Sequence, residues 1–278
     1  GEQGLLGTGI PDQYGGMGLD FNTDSLIIEH FGRAQSWSVA FTAHIGIGTL
    51  PVLYYGTEKQ KQEWLPKLAS GEAKSSYCLT EPGSGSDALG AKTKAELSED
   101  GTEWILNGQK MWITNAGFAD LFTVFAQVQE DDRLDGANGF TGFLVEKGTE
   151  GLRLNAEEHK MGINGSSTRQ VFLEGVRIPR ENLLGDIGKG HKIAFNVLNI
   201  GRYKLGLLAV GGCKEGVRDA VKYANEREQF GMPIAKFGAI QYKLAEMATR
   251  TFANESAVYR TSGLIEDKIN ELVAGGMD

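Results

Sequence analysis

Only 2 of the 278 residues are cysteine, Cys78 and Cys213, and they form no spaced pair, which leaves neither a disulfide framework nor a Cys-x-x-Cys redox or zinc motif. A reducing compartment is expected. The 4 histidines, His30, His44, His159 and His191, show no i, i+3 or i, i+4 pairing, so no metal site is expected either. Basic charge is also in short supply: 28 Lys and Arg against 36 Asp and Glu leave a net charge of −8, which argues against nucleic acid as a partner. A few backbone N–H groups or one Arg still suffice for a phosphate-bearing small molecule. The longest apolar stretch, residues 40–55, is interrupted by His44 and Pro51 and falls short of the roughly 20 residues that span a bilayer, so it reads as a buried helix rather than a transmembrane one. The chain opens at Gly1 with no charged-then-apolar leader, so targeting information is expected to be absent or to precede it.

What is present is an ordinary globular balance, 41% apolar and 23% charged, in three compositional regions. From residue 1 to about 75, a glycine-rich turn at Pro11 to Gly18 leads into helical patterns, and Thr57 to Gln60 has capping-box spacing, with Gly71 closing the helix. From 76 to 185 the period shifts toward two. Alternating runs at 102–106 and 110–114 flank Asn107-Gly108, a hairpin signal, and short strands are expected at 121–127, 141–146 and 168–173. From 186 to 278 the pattern is helical again, with no Pro between Lys192 and Glu228. Ile240, Leu244, Met247, Ala248 and Thr251 then form one helical stripe after the short break at Phe230 to Pro233. The expectation is an α+β chain: an N-terminal helical domain at 1–75, a small middle β-barrel or sandwich at 76–185, and a C-terminal helical bundle at 186–278 whose long helices run antiparallel.

Four runs are candidates for chemistry. In Tyr77-Cys78-Leu79-Thr80-Glu81-Pro82-Gly83-Ser84-Gly85-Ser86-Asp87, the glycines and Pro82 make a tight loop whose N–H groups and hydroxyls suit an anion or a carbonyl-rich ring. An ordinary Gly/Ser turn is the alternative. In Trp112-Ile113-Thr114-Asn115, strand alternation presents Trp112 and Thr114 together on one face, where a flat cofactor could stack; a core Trp is the alternative. Arg227, in Asn225 to Gly231, suits either a phosphate or the negative end of a helix dipole. Gly201, in Asn199-Ile200-Gly201-Arg202, suggests close approach by a ligand or by another helix.

Taken in order, these runs resemble the acyl-CoA dehydrogenase family, most closely its very-long-chain branch, over essentially the whole chain. Lys160 to Ile163, Val176 to Pro179 and Asn182 to Gly185 add to the likeness. The resemblance implies FAD held between the β domain and the helical bundle. Leu79 and Thr80, with Tyr77 beside them, would serve the pyrimidine side of the flavin, Thr114 its N5 region, and Trp112 and Ile113 the ring's flank. Gly85 and Ser86 would lie at the pyrophosphate. Arg227, Gln229, Phe230 and Gln241 would reach the FAD of a neighbouring subunit in a homodimer or homotetramer. Ser86, Ser167, Asn199 and Arg202 would face the acyl-CoA substrate.

The implied reaction removes an α-proton and transfers a β-hydride to FAD, giving a trans-2-enoyl-CoA, with electrons passed on to electron-transferring flavoprotein. An acyl-CoA oxidase or flavin monooxygenase of the same fold, or a non-catalytic assembly scaffold, are the alternatives. The family's catalytic Glu is expected outside this chain, which reads as a fragment lacking both ends, because the position a few members use, one before Arg202, is Gly201. Neither Glu81 nor Glu158 fills that role. The compartment implied is the cytoplasm of a bacterium or the mitochondrial matrix of a eukaryote, the former favoured.

Overall fold

A computed structural model of the protein describes residues 1–275. Four helices precede the sheet: α1 (Phe21–Phe31), α2 (Ser36–Ala43), α3 (Leu50–Tyr55) and α4 (Glu58–Ser70). Strands follow at β1 (Ser75–Cys78), β2 (Lys94–Leu97), β3 (Glu103–Thr114), β4 (Leu121–Val128), β5 (Gly139–Glu146), β6 (Leu152–Glu157), β7 (Thr168–Pro179) and β8 (Leu183–Leu184). The chain ends in α5 (Gly190–Glu226), a two-residue ladder of β9 (Glu228–Gln229) and β10 (Met232–Pro233), and α6 (Gly238–Ala274). Contacts gather these elements into two compact units, one of Gly1–Gly18 with Val39–Gly201, the other of Leu19–Ser38 with the chain from Arg202 onward.

In the first unit, α4 starts where its capping box predicts: Gln60 N donates to Thr57 Oγ1 at 3.3 Å and Thr57 N to Gln60 Oε1 at 2.9 Å. Gly71 closes it in the left-handed region at φ 78°. The apolar run ahead of it is helical from Ser36 to Tyr55, long enough on its own to cross a bilayer, but 67% of its apolar window is buried inside the protein. A π-helical turn, His44–Gly48, divides it, and Pro51 sits in the first turn of α3, where its missing N–H breaks no bond.

The eight strands run β6-β7-β3-β2-β4-β5-β8, with β1 parallel to β4. Both faces of β4 are buried, which suits its nearly unbroken apolar sequence. Leu121 and Phe125 pack with Trp64, Leu65, Tyr77 and Val197 on the helical side, while Phe122, Val124 and Ala126 pack with Trp104, Phe143 and Val171 within the sheet. Asn107-Gly108 is not a hairpin. β3 runs straight through it, with a register shift against β7 between Leu106 and Gly108. A Cβ at Gly108 would stand 2.4 Å from Thr93 Oγ1, and the Asn107 carboxamide accepts Gly175 N–H at 2.7 Å. The chain reverses instead between β2 and β3, at Asp100-Gly101, with Gly101 at φ 72°. Hydrogen bonds from Ser98 and Thr102 hold the Asp100 carboxyl down at about 2.

In the second unit, buried apolar residues such as Ile28, Leu207 and Val210 are accompanied by a set of polar contacts between helices. Lys204 pairs with Asp24 at 3.1 Å, both buried. The buried Glu29 receives Lys214 at 2.7 Å and the Tyr259 hydroxyl at 2.6 Å, and Ser25 bonds Tyr203 and Ser262 at 3.1 Å each. Burial pushes Glu29 upward, but the Lys214 and Tyr259 bonds outweigh it and hold the carboxyl below its usual range. α5 and α6 run antiparallel here, since Tyr203 meets Val258 while Lys214 meets Glu255.

In the first unit, the His44 ring accepts Ser75 N–H at Nδ1 (3.1 Å) and so donates from Nε2 to Leu68 O (3.0 Å). Burial pushes its pKa down to about 4. Below about pH 6.5 the unfolded chain takes up a proton that folded His44 refuses, so stability falls as pH drops toward 4. Chemical denaturation should show this as a loss of about 2 kcal/mol from pH 7 to pH 5, absent from His44→Gln. An equal pH slope in the two proteins would show that His44 is not its source.

Candidate functional site

β3 pairs with β7 as far as Lys110↔Val171 and resumes at Ile113↔Arg169, so Met111 and Trp112 leave the ladder as a bulge. Met111 N–H turns to Thr80 O at 2.9 Å. Trp112 takes φ 59°, a left-handed conformation that costs a bulky residue about 1–3 kcal/mol, and its ring is 53% exposed. Ile113 re-enters the core, Thr114 is half-buried opposite Thr168, and Ser76 Oγ donates to Thr114 O at 2.7 Å. The alternation expected of this run is present, produced by a bulge rather than by a regular strand.

The bulge is met by the loop at 79–87. Lys110 is fully buried, with Nζ 2.6 Å from Glu81 Oε1 and 3.3 Å from Leu79 O. Glu81, also buried, accepts Lys92 N–H at 2.6 Å and Thr93 N–H at 3.1 Å. Burial pushes its carboxyl upward, but the Lys110 charge and these bonds prevail and hold it below the usual range. Glu81 and Ser84 exchange backbone bonds at 3.0 and 3.1 Å, and Ser84 Oγ closes on Asp87 O at 2.5 Å. The Ser84 hydroxyl, expected to serve a ligand, is therefore committed within the loop. Gly85 and Ser86 are exposed, and a Cβ on Gly83 or Gly85 would meet nothing within 4 Å, so the loop bounds open space.

Ser167 joins the same end of β3. Its backbone O accepts Asn115 N–H at 3.0 Å, while its hydroxyl donates to Glu157 at 2.7 Å and accepts Gly117 N–H at 3.0 Å. Asn115 is buried at φ 67°, with Nδ2 donating to Ala40 O at 2.9 Å. Tyr77 is buried in β1, its hydroxyl 3.2 Å from Ala194 O, so neither its side chain nor that of Ile113 faces solvent. Asn199 is exposed on α5, and a Cβ at Gly201 would stand 3.0 Å from Ile47 Cγ2, so Gly201 serves close helix packing.

The second unit carries the remaining candidates. Arg202, Arg227, Gln229 and Gln241 are exposed. The β9–β10 turn holds Phe230 at φ 54° and Gly231 at φ 78°, which displays the Phe230 ring at 91% exposure. Glu81 and Asn115 were read only as members of their runs and Lys110 and Glu157 were not singled out, so the pairing roles of all four escaped the sequence reading. Lys110 had a signal: it falls on the inward register of β3 with Trp104 and Leu106, where a charge requires a partner.

Residues 1–72, 76–176 and 188–276 match, in that order, the N-terminal, middle and C-terminal domains of acyl-CoA dehydrogenases, and the chain belongs to that family. A probable acyl-CoA dehydrogenase of Bacillus subtilis is 53% identical over 99% of this chain and 45% of its own length. The human mitochondrial very long-chain specific acyl-CoA dehydrogenase is 42% identical over 94% of this chain and 40% of its own length. The crystal structure of an acyl-CoA dehydrogenase complexed with FAD from Bacillus anthracis superposes with a TM-score of 0.93 at 54% identity, covering 98% of this chain and 45% of that one. The chain thus spans under half the length of these relatives.

The open loop and the crowded strand should respond differently to the same small change. Gly85→Ala should leave stability within about 0.5 kcal/mol of wild type, whereas Gly108→Ala, with Thr93 Cα only 2.8 Å from the new Cβ, should lose about 1–3 kcal/mol. Urea unfolding of the two variants is the check, and equal losses would mean that the 83–85 loop is packed rather than open.

Proposed function

We propose that this chain is the FAD-holding part of an acyl-CoA dehydrogenase that oxidises a fatty acyl-CoA thioester to the trans-2-enoyl-CoA and passes electrons to electron-transferring flavoprotein. The observation that carries the reading is the Trp112 ring, turned out to 53% exposure by a left-handed bulge beside an open glycine loop. Both features fit FAD: an aromatic plate for the flavin, and a cradle with room at Gly83 and Gly85 for the pyrophosphate. When bound, FAD supplies the hydride acceptor.

The chain's own residues do the holding. Leu79 and Thr80 present backbone groups and a hydroxyl to the pyrimidine side, Thr114 lies toward N5, and Trp112 shields one flank from water. Tyr77 and Ile113 support this face from within. Gly85 and Ser86 take the pyrophosphate, and Ser86, Ser167, Asn199 and Arg202 take the acyl-CoA. Since Ser167 already donates to Glu157, its free lone pair serves it as an acceptor. No proton abstraction is assigned to Glu81, which is paired with Lys110, or to Gly201, which has no side chain. The division into 1–75, 76–185 and 186–278 is proposed as the domain order, with a homodimer or homotetramer as the assembly and the bacterial cytoplasm as the compartment.

Arg227 forms no ion pair among the described residues, and beside it stands the exposed turn of Gln229 and Phe230. We assign Arg227, Gln229, Phe230 and Gln241 to the FAD of a neighbouring subunit. A charge-assisted bond to phosphate contributes about 1.5–3 kcal/mol, so Arg227→Ala should weaken FAD binding by about tenfold to a hundredfold, against less than about fivefold for a helix-dipole contact alone. Titrating FAD into flavin-free wild type and variant tests both claims. A wild-type chain that takes up no FAD removes the proposed function; a variant with unchanged affinity returns Arg227 to its own helix end.

A further inference from the structure

We propose that the buried Glu81–Lys110 ion pair is a positioning latch: it clamps the 79–87 loop onto β3 so that Met111 bonds to Thr80 and Trp112 is turned outward. What the face then holds rests on the flavin reading above, but the latch itself is local geometry. The Glu81 carboxylate ties its own loop to two other segments at once. Oε1 accepts Lys110 Nζ at 2.6 Å and Thr93 N–H at 3.1 Å, and Oε2 accepts Lys92 N–H at 2.6 Å. Lys110 Nζ also reaches Leu79 O at 3.3 Å. One residue further along each strand of chain, Met111 N–H meets Thr80 O at 2.9 Å. The ion pair and the diverted backbone bond are therefore adjacent parts of one junction, and β3 leaves β7 immediately after Lys110.

Stability alone does not account for such a pair. Well-packed apolar residues of similar volume commonly replace a buried ion pair with neutral or favourable effect, so what the pair supplies here is a choice between two courses for β3. On the loop side the pair is backed by the single Met111–Thr80 bond, while beyond the bulge the shifted register is held by the Ile113↔Arg169 and Thr114↔Thr168 pairings; a regular ladder would relieve the left-handed conformation at Trp112, φ 59°. Glu81 and Lys110 are on this view positioning residues, acting through Thr80 and Trp112.

The test uses the full chain and the double variant Glu81→Leu/Lys110→Met, with Lys110→Met alone, whose Glu81 carboxyl still accepts the Lys92 and Thr93 N–H groups, should the double variant fold poorly. In the flavin-free proteins, amide exchange at Met111 should quicken by about tenfold or more while the thermal midpoint stays within a few degrees of wild type. In the FAD-loaded proteins, affinity should fall by about tenfold and the visible flavin band should shift. A folded variant in which Met111 stays as protected as in wild type, and in which FAD binds with wild-type affinity and spectrum, overturns the latch. If wild type takes up no FAD, the flavin reading falls, and the exchange measurement still decides the latch.

Discussion

A lysine ammonium with no solvent exposure lies on β3 of the first unit, and the local backbone is arranged around meeting its charge. Left alone, a buried Lys neutralises or draws in water, because desolvation disfavours the charged form by several kcal/mol. At Lys110 burial still pulls the ammonium's pKa below its ordinary value, and Glu81, 2.6 Å away with its other lone pairs filled by the backbone N–H groups of Lys92 and Thr93, opposes that pull. Satisfying that one charge brings three segments to a point: the glycine loop, the start of β2 and the middle of β3. Trp112, Thr114 and the open end of the loop are arranged about that point, so the candidate site inherits its geometry from a pair of side chains that never reach the surface.

The second unit uses buried charge in a different way. α1 meets α5 and α6 through Asp24–Lys204, through Glu29 with Lys214 and Tyr259, and through Ser25 with Tyr203 and Ser262, while Ser262 is the one buried residue of α6. Apolar contacts tolerate sliding along a helix, whereas paired charges and hydroxyls do so only by leaving partners unsatisfied. Together with the buried Ile28, Leu207 and Val210, the polar contacts of this seam give the three helices partners that a slide along the axis would leave unsatisfied. The main chain at Glu29 also lies so near α5 that a Cβ at Gly211 would stand 2.0 Å from its carbonyl oxygen, which closes the seam to a larger residue.

What was legible in the sequence was whatever is encoded within a few residues. The Thr57–Gln60 capping box, the Gly71 stop and the two long helices were visible because each follows from local pattern and punctuation. The family's ordered runs carried the rest of the architecture. What local pattern does not encode is which Gly-containing dipeptide turns the chain. Asn107-Gly108 and Asp100-Gly101 are both strong turn signals, and only the latter is a turn. The difference lies in Thr93, which packs against Gly108 from the residue just ahead of β2 and removes the room for a side chain without bending the backbone. Glu81 was hidden for a related reason, since a carboxylate in a Gly/Pro/Ser loop looks like solvated punctuation until Lys110 is placed beneath it.

The same distinction separates glycines that build a site from those that build a core, and it is a distinction of space rather than of residue type. Gly108 and Gly201 are glycine because something is already there: Thr93 Oγ1 at 2.4 Å in one case and Ile47 Cγ2 at 3.0 Å in the other. Gly83 and Gly85 are glycine although nothing of the chain lies within 4 Å of where a Cβ would be, and neither needs a left-handed backbone. Gly9, Gly162, Gly216, Gly238 and Gly263 share both features, so open space alone marks no site; what sets Gly83 and Gly85 apart is that they lie in the loop latched beside Trp112. Trp112 presents the complementary case: it bears a left-handed strain that a glycine would remove, and what that strain secures is a large ring facing outward beside the empty loop. Room beside the loop, next to an aromatic residue exposed against its own backbone preference, is the ground on which this surface is proposed as a site rather than an ordinary turn.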